Sequence, residues 1–163
     1  QRERFKSALK IGKKLSELGK RYCKTSAQVA IAWVLAQQGV TCALTGPSSI
    51  EHLEENVGGS GWQISKEDLQ DLEAVYEKED KWLRQTQKTS IKNIISKPLR
   101  DPQQAFTDLI YVIETATSLR LISEKSVLPV FYELYGLKRE LNTEGIELKL
   151  KKIQTQLSEL IPC

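Results

Sequence analysis

The sequence has no methionine, one histidine, three cysteines and few aromatic residues, which make up 7% of its 163 positions. Cys23, Cys42 and Cys163 are far apart and form no Cys-x-x-Cys pair, so neither a structural zinc site nor a disulfide framework is expected. The acidic cluster 77–80 contains no histidine or cysteine, and we predict no metal site there. Reduced thiols and the lack of a secretory signal favour a cytoplasmic protein.

The sequence also lacks a long apolar run and a strong excess of one charge. No stretch is long and apolar enough to cross a bilayer, so we predict no membrane association. The net charge is only +3, and basic residues do not alternate with aromatic ones, so we predict no nucleic-acid partner. Because the chain starts at Gln1 and has no methionine, we expect it to be a piece of a longer protein.

The character of the sequence changes around Ser90, and we predict two parts, residues 1–85 and a helical extension over residues 86–163. Apolar residues recur at three- and four-residue steps through most of both parts, which is typical of amphipathic helices. Helix starts are predicted at Ser65, at Asp101-Pro102, and by the capping-box spacing of residues 25–28, which residues 48–51 repeat. In the extension, a breaker-rich loop at 96–102 precedes three predicted helices. The last of them carries a two-heptad apolar stripe, which is too short to establish a coiled coil: Ile146, Leu150, Ile153, Leu157 and Leu160.

The most informative segment is residues 40–57. Residues 40–44 are apolar and β-branched and predict one short strand, whereas Gly46 and Pro47 predict a turn. Two serines then precede a helix predicted from Ile50 to about Val57. The first amides of a helix lack intrahelical partners and its dipole favours negative charge, so this segment indicates a phosphate site. A tight turn with a serine cap is the simpler interpretation of the same residues.

Three segments in unbroken order resemble the aldo-keto reductase family over roughly residues 5–80. The run at residues 20–37 resembles the segment before the last barrel strand of that family. Residues 46–49, followed by His52-Leu53 and Glu55-Asn56, resemble its cofactor loop and helix. Ile64-Ser65-x-x-Asp68-Leu69 resembles its late helix.

This resemblance implies the C-terminal portion of a (β/α)8 barrel, an α/β fold, with the chain itself mostly helical around one short strand. Barrel enzymes often bind phosphate at the loops after the last strands, which agrees with the position of the segment. The implied activity is hydride transfer between NADP(H) and a small-molecule carbonyl or alcohol. Carried over by position, the implied cofactor-binding residues are Gly46, Pro47, Ser48, Ser49, His52, Glu55 and Asn56.

The chain departs from the family pattern in two respects. Ser48 stands where many members carry Arg or Lys, and His52 where a Gln or a basic residue is common, so NAD is an alternative cofactor. The family's catalytic Asp, Tyr, Lys and His have no match here, so no catalytic residue is assigned. Two alternatives remain open: a non-catalytic nucleotide-sensing or scaffold protein, and a helical extension that either mediates oligomerisation or partner docking or closes the flank of the barrel.

Overall fold

The structure, a computed structural model, describes residues 2–99 and 101–162. Within them the chain forms seven α-helices and one short 3-10 turn. The elements are α1 (Arg2–Tyr22), α2 (Ser26–Leu35), α3 (Ile50–Val57), α4 (Lys66–Ser96), α5 (Pro102–Ser118), α6 (Glu124–Gly136), the turn Leu137–Arg139, and α7 (Ile146–Leu160). The chain divides into two compact units, an N-terminal unit, Gln1–Leu83, and a C-terminal unit, Arg84–Cys163.

The α/β barrel expected from the resemblance is wrong for this chain, because the described residues contain no strand. Residues 40–47 have no regular structure, and Leu44 is 97% exposed. A strand requires a neighbour to pair its backbone N–H and C=O groups, and a lone segment satisfies them with water instead. The segment 40–44 therefore forms a largely exposed loop without regular structure.

Two caps determine the path of the chain in the N-terminal unit. At the start of α2 the Thr25 hydroxyl accepts from the Gln28 N–H at 3.2 Å, and the Gln28 side chain accepts from the Thr25 N–H at 3.1 Å. This reciprocal pair is the predicted capping box. At the end of α1, Cys23 takes the left-handed conformation (φ 53°) and the Lys24 N–H donates to the Gly19 carbonyl at 2.8 Å, a Schellman-type ending.

A small apolar core holds these helices together. Five side chains are buried in it: Leu18, Val29, Ala32, Ile64 and Leu72. Partly buried side chains pack around these five: Leu15, Tyr22, Trp33, Trp62 and Leu69. At the start of α4, the Tyr22 hydroxyl donates to Asp68 at 2.7 Å and accepts from the Ser65 N–H at 2.9 Å, and Arg21 also pairs with Asp68. Ser65 caps α4 as predicted, accepting from the Asp68 N–H at 3.1 Å.

The C-terminal unit packs α5, α6 and α7 around a much larger core. Asp101 caps α5 and Pro102 occupies its first turn, as the sequence predicted. Ile146, Leu150, Ile153 and Leu157 of the heptad stripe are all buried within this unit. These four side chains of the stripe therefore pack within the unit. None of the helices in the described ranges has the length and apolar composition that a membrane span requires.

Candidate functional site

The candidate site is the start of α3 and the loop that leads into it. Residues 44–54 are exposed, and Ile50, the first helical residue, is 72% exposed. Ser49 is the N-cap, and its hydroxyl accepts from the His52 N–H at 3.2 Å. The helix spans Ile50–Val57, as predicted, although its cap is Ser49 and the spacing from Ser48 to Glu51 forms no capping box.

The other end of α3 is fixed to the body of the N-terminal unit. The Gln28 Nε2 donates to the Glu55 carbonyl at 3.1 Å, and the Trp62 Nε1 donates to the Gly58 carbonyl at 3.2 Å. A Cβ at Gly58 would lie 2.4 Å from the Gln28 amide nitrogen, and one at Gly59 would lie 2.8 Å from Ile31 Cβ. Glycine is therefore required at position 59 for α3 to approach α2 this closely, whereas a side chain at position 58 would displace the Gln28 amide.

At the open end, Ser48 and His52 form a direct pair. The Ser48 oxygen lies 2.9 Å from His52 Nδ1, with both side chains exposed to solvent. The ring brings the Ser48 hydroxyl to the first turn of the helix, next to Ser49. A hydroxyl beside the first turn of a helix suits an anion, because it can donate a hydrogen bond and faces the positive end of the helix dipole.

Glu51 shows that this end of α3 favours negative charge. Its own backbone N–H, followed by the Ser49 hydroxyl, holds the pKa of the Glu51 carboxyl below its ordinary value. The physical cause is the one that would hold a phosphate: donors at a helix start stabilise an anion. Glu51 was not among the predicted site residues, although an acidic residue in a helix first turn is visible in the sequence.

The seven predicted site residues do not all lie together. Ser48, Ser49 and His52 are joined by hydrogen bonds, whereas Glu55 and Asn56 are half-buried further along α3. A Cβ built on Gly46 meets nothing within 4 Å, so no close approach explains that glycine in this structure. The cofactor-binding roles predicted for all seven residues stay predictions.

The charged side chains close to the site in sequence are acidic. The sequence has no Lys or Arg between residues 46 and 65, whereas α3 carries Glu51, Glu54 and Glu55.

A cleft in the same unit lies apart from the predicted site residues. Its volume is about 650 Å³, and it is lined by apolar side chains that include Leu35, Trp62 and Ile64 and by none of the seven predicted site residues. Across the described residues no group of three or more His, Cys, Asp or Glu side chains could hold a metal ion.

Comparison with known proteins places the candidate site inside a recognised family segment. Residues 1–77 match the model of the aldo/keto reductase family. Over 81 residues the chain is 36% identical to an aldo-keto reductase of Bacillus subtilis, and over 71 residues it is 35% identical to an uncharacterised oxidoreductase of Schizosaccharomyces pombe. It is 37% identical over 59 residues to the chloroplastic pyridoxal reductase of Arabidopsis thaliana.

These alignments cover only a part of every protein involved. They include 47%, 44% and 36% of this chain, and 24%, 23% and 16% of the three relatives in the same order. The chain therefore spans about a quarter or less of the relatives it matches, and no solved structure matches it. The resemblance inferred for residues 5–80 is confirmed, because residues 1–77 match the model of the aldo/keto reductase family.

Proposed function

We propose that the start of α3 binds the phosphate-bearing adenosine end of NADP(H), and that a protein containing this segment with the rest of an aldo/keto reductase fold is an oxidoreductase. Hydride transfer to or from a small-molecule carbonyl or alcohol is the reaction that such a protein would perform. The bound nicotinamide supplies the hydride. This chain's own residues contribute binding and orientation, and none of them is assigned a catalytic role.

One observation carries the proposal: an exposed helix start with two serine hydroxyls lies inside the segment that matches the family. The Ser48 hydroxyl, the Ser49 cap and the first-turn amides provide neutral donors of the kind that hold phosphate groups. The donors that lower the pKa of Glu51 stabilise its carboxylate at this helix start, and a bound phosphate would replace that carboxylate there.

The charges around this site favour NAD(H) as the second candidate cofactor. A 2′-phosphate is usually paired with Arg or Lys, and residues 46–65 supply neither. The three glutamates of α3 would repel a doubly charged phosphate, whereas a ribose hydroxyl can donate to a carboxylate. The donor groups present fit both cofactors, and the absence of a cation reduces the expected preference for NADP(H).

Calorimetric titration of the chain with NADPH and with NADH tests the site. We expect Ser48→Ala and Ser49→Ala to weaken binding, because each removes a donor at the helix start. Ser60→Ala is the matched control, since that hydroxyl donates to the Val57 carbonyl at the opposite end of α3. Ser48→Arg should strengthen NADPH binding about tenfold relative to NADH by adding the missing cation.

Three results contradict this proposal. The first is no binding of either cofactor by the folded chain. The second is binding that is unchanged in Ser48→Ala and Ser49→Ala, and the third is equal loss in Ser60→Ala. The enzymatic part is tested separately by following NADPH absorbance with aldehyde substrates in the longest natural form of the protein. Cofactor binding without turnover in that form would favour the nucleotide-sensing or scaffold alternative.

A further inference from the structure

Helix α6 leaves an aromatic face exposed in the C-terminal unit. Leu128 is 45% exposed, Tyr132 68% and Tyr135 53%, and Phe131 is half-buried beside them. Because a helix turns about 100° per residue, these four positions fall within about 100° of one another. We call them the α6 face. They contrast with Val127, Val130 and Leu134 on the opposite side of the same helix, which are buried in the core.

The rings of the α6 face are already packed against one another. Phe131 stacks on Tyr135 with ring centroids 5.9 Å apart, and meets Tyr132 edge-on at 5.8 Å. Lys138 lies 5.5 Å over the Tyr135 ring. Side chains ordered in this way lose little conformational entropy when a partner covers them, and tyrosine is enriched at protein interfaces for that reason.

Opposite charges stand at the two ends of the α6 face. Glu124 begins α6 and Arg139 ends the 3-10 turn that follows it, with both side chains exposed. Neither has an ion-pair or hydrogen-bond partner among the described residues. By contrast Glu133, on the flank of α6, pairs with Lys152 at 2.8 Å, and Glu140 pairs with Lys149.

The spacing of these residues is symmetric about the middle of the helix. An antiparallel copy of α6 that sets Glu124 opposite Arg139 also sets Leu128 opposite Tyr135. The same register sets Phe131 opposite Tyr132, since all three pairs share one centre between residues 131 and 132. Lys125 and Lys138 share that centre too. They lie on opposite flanks, about 140° apart around the helix, so the two cations need not meet.

We propose that the α6 face is a homodimer interface, in which two copies of the chain pair α6 antiparallel about a twofold axis. Each end of the contact then joins Glu124 of one copy to Arg139 of the other, as an isologous interface requires. Antiparallel helix dipoles add a favourable term. A second copy of the chain fits this face because its charges and its residue register are self-complementary. This argument is independent of the cofactor site on α3.

A single helix face is smaller than a standard interface, which buries about 800 Å² on each partner. We therefore expect a dimer with a dissociation constant in the range of about 10 to 100 μM, in equilibrium with monomer. Such a dimer is visible by sedimentation velocity and by light scattering when the chain concentration is raised through that range.

Charge exchange provides the sharpest experiment. Glu124→Arg and Arg139→Glu should each weaken the dimer about fivefold to tenfold, because each places like charges at both ends of the contact. The double variant Glu124→Arg/Arg139→Glu should restore the wild-type dissociation constant, since every pair is again opposite in sign. Tyr135→Lys should leave only monomer over the same concentrations, because it places a charge in the middle of the aromatic contact.

Two matched controls distinguish this interface from non-specific hydrophobic association. Leu148→Lys changes a 75% exposed leucine on α7, and Leu9→Lys changes a 56% exposed leucine on α1. Both should leave the dimer unchanged, and circular dichroism should show every variant folded. A chain that stays monomeric to about 1 mM overturns the proposal. So does association that Leu148→Lys or Leu9→Lys abolishes, or single charge variants that the double variant does not rescue.

Discussion

The two units of the chain have nearly the same length but bury very different amounts of apolar side chain. Among the described residues, the core of the N-terminal unit has five buried apolar residues and that of the C-terminal unit has seventeen. Conversely, over the same residues ten large apolar side chains are exposed in the N-terminal unit and four in the C-terminal unit. The unit that matches a known family is thus the one that covers its own apolar surface poorly.

The ion-paired carboxylates also differ between the units, because those of the N-terminal unit are more deeply buried. In the N-terminal unit, Lys10 pairs at 2.9 Å with Glu79, whose side chain is 5% exposed, and Arg21 pairs with the equally buried Asp68. In the C-terminal unit the carboxylates of Glu133 and Glu140 are 41% and 44% exposed. The N-terminal unit therefore depends on buried carboxylates, and the C-terminal unit on apolar packing. This difference predicts distinct responses to mutation and to pH.

Removing a core leucine from the C-terminal unit should have the largest effect. Leu157 is fully buried, so Leu157→Ala should cost about 3 kcal/mol of unfolding free energy through lost burial and the cavity left behind. All three tryptophans lie in the N-terminal unit, so urea unfolding followed by circular dichroism should shift while tryptophan fluorescence should not. Leu148→Ala on the same helix is the control. Equal shifts in the two signals would show that the units unfold as one.

Neutralising Asp68 should weaken the N-terminal unit by about 2 kcal/mol. The Tyr22 hydroxyl, and after it Arg21, holds the pKa of Asp68 below its ordinary value. A lowered folded-state pKa stabilises the fold above the ordinary value, near pH 4, and that stability is lost as the pH falls further. Asp68→Asn removes the charge that accepts these bonds. Tryptophan fluorescence in urea at pH 7 and at pH 3 measures both effects.

Asp71→Asn is the matched control for Asp68. Its carboxylate is 68% exposed and lies 3.3 Å from Lys14, so its loss should cost less than about 0.5 kcal/mol. The wild-type chain should lose stability between pH 4 and pH 3 more steeply than Asp68→Asn does. Parallel pH profiles for the two chains would contradict the role given to Asp68.

Replacing Cys23 by glycine should stabilise the N-terminal unit by about 0.5 to 1 kcal/mol. Cys23 ends α1 with φ 53°, a conformation that costs a non-glycine residue about 1 to 2 kcal/mol, partly offset by the greater unfolded-state entropy of glycine. Arg120, with φ 57° at the end of α5, is the counterpart in the C-terminal unit. Arg120→Gly should raise only the unfolding midpoint of the C-terminal unit. Destabilisation by Cys23→Gly would contradict this account of the helix end.

The smallest effect is expected for an exposed ion pair of the C-terminal unit. Lys149→Gln removes the partner of Glu140, and both side chains are about half exposed, so we expect less than about 0.5 kcal/mol. Lys10→Gln should cost more, about 1 kcal/mol, because it leaves the buried Glu79 carboxylate without its cation. Equal losses of stability in the two variants would contradict the conclusion that only the N-terminal unit depends on buried ion-paired carboxylates. Thermal melts of the two variants provide the comparison.

Much of the helical structure could be predicted from the sequence because its signals are local. The caps at Thr25, Ser65 and Asp101 precede apolar periodicity, and each requires only nearby backbone donors. The strand at 40–44 could not be decided in this way. β-Branched residues favour an extended backbone, but a sheet needs partner strands that the described residues do not supply.

The candidate site was predicted in part. The helix start near Ile50 and the two serines before it could be read from spacing. The contact of His52 with Ser48, the self-interaction of Glu51 and the fixing of α3 by Gln28 and Trp62 depend on side-chain directions and on packing between elements. The contacts of His52 and Glu51 are local and depend on side-chain rotamers, whereas the bond from Gln28 depends on how closely α2 and α3 approach, a distance that the sequence pattern does not encode.

The sequence by itself determined the resemblance of residues 1–77 to the aldo/keto reductase family, the capped helix starts and the amphipathic periods, because each depends on the order of neighbouring residues. Only the tertiary structure decided which apolar faces are covered. It buries the heptad stripe of α7 inside the C-terminal unit and leaves the α6 face exposed, although both are amphipathic at the level of sequence. The physical reason is that an apolar helix face is buried only when another element packs against it, and the sequence of one helix specifies only one of the two faces.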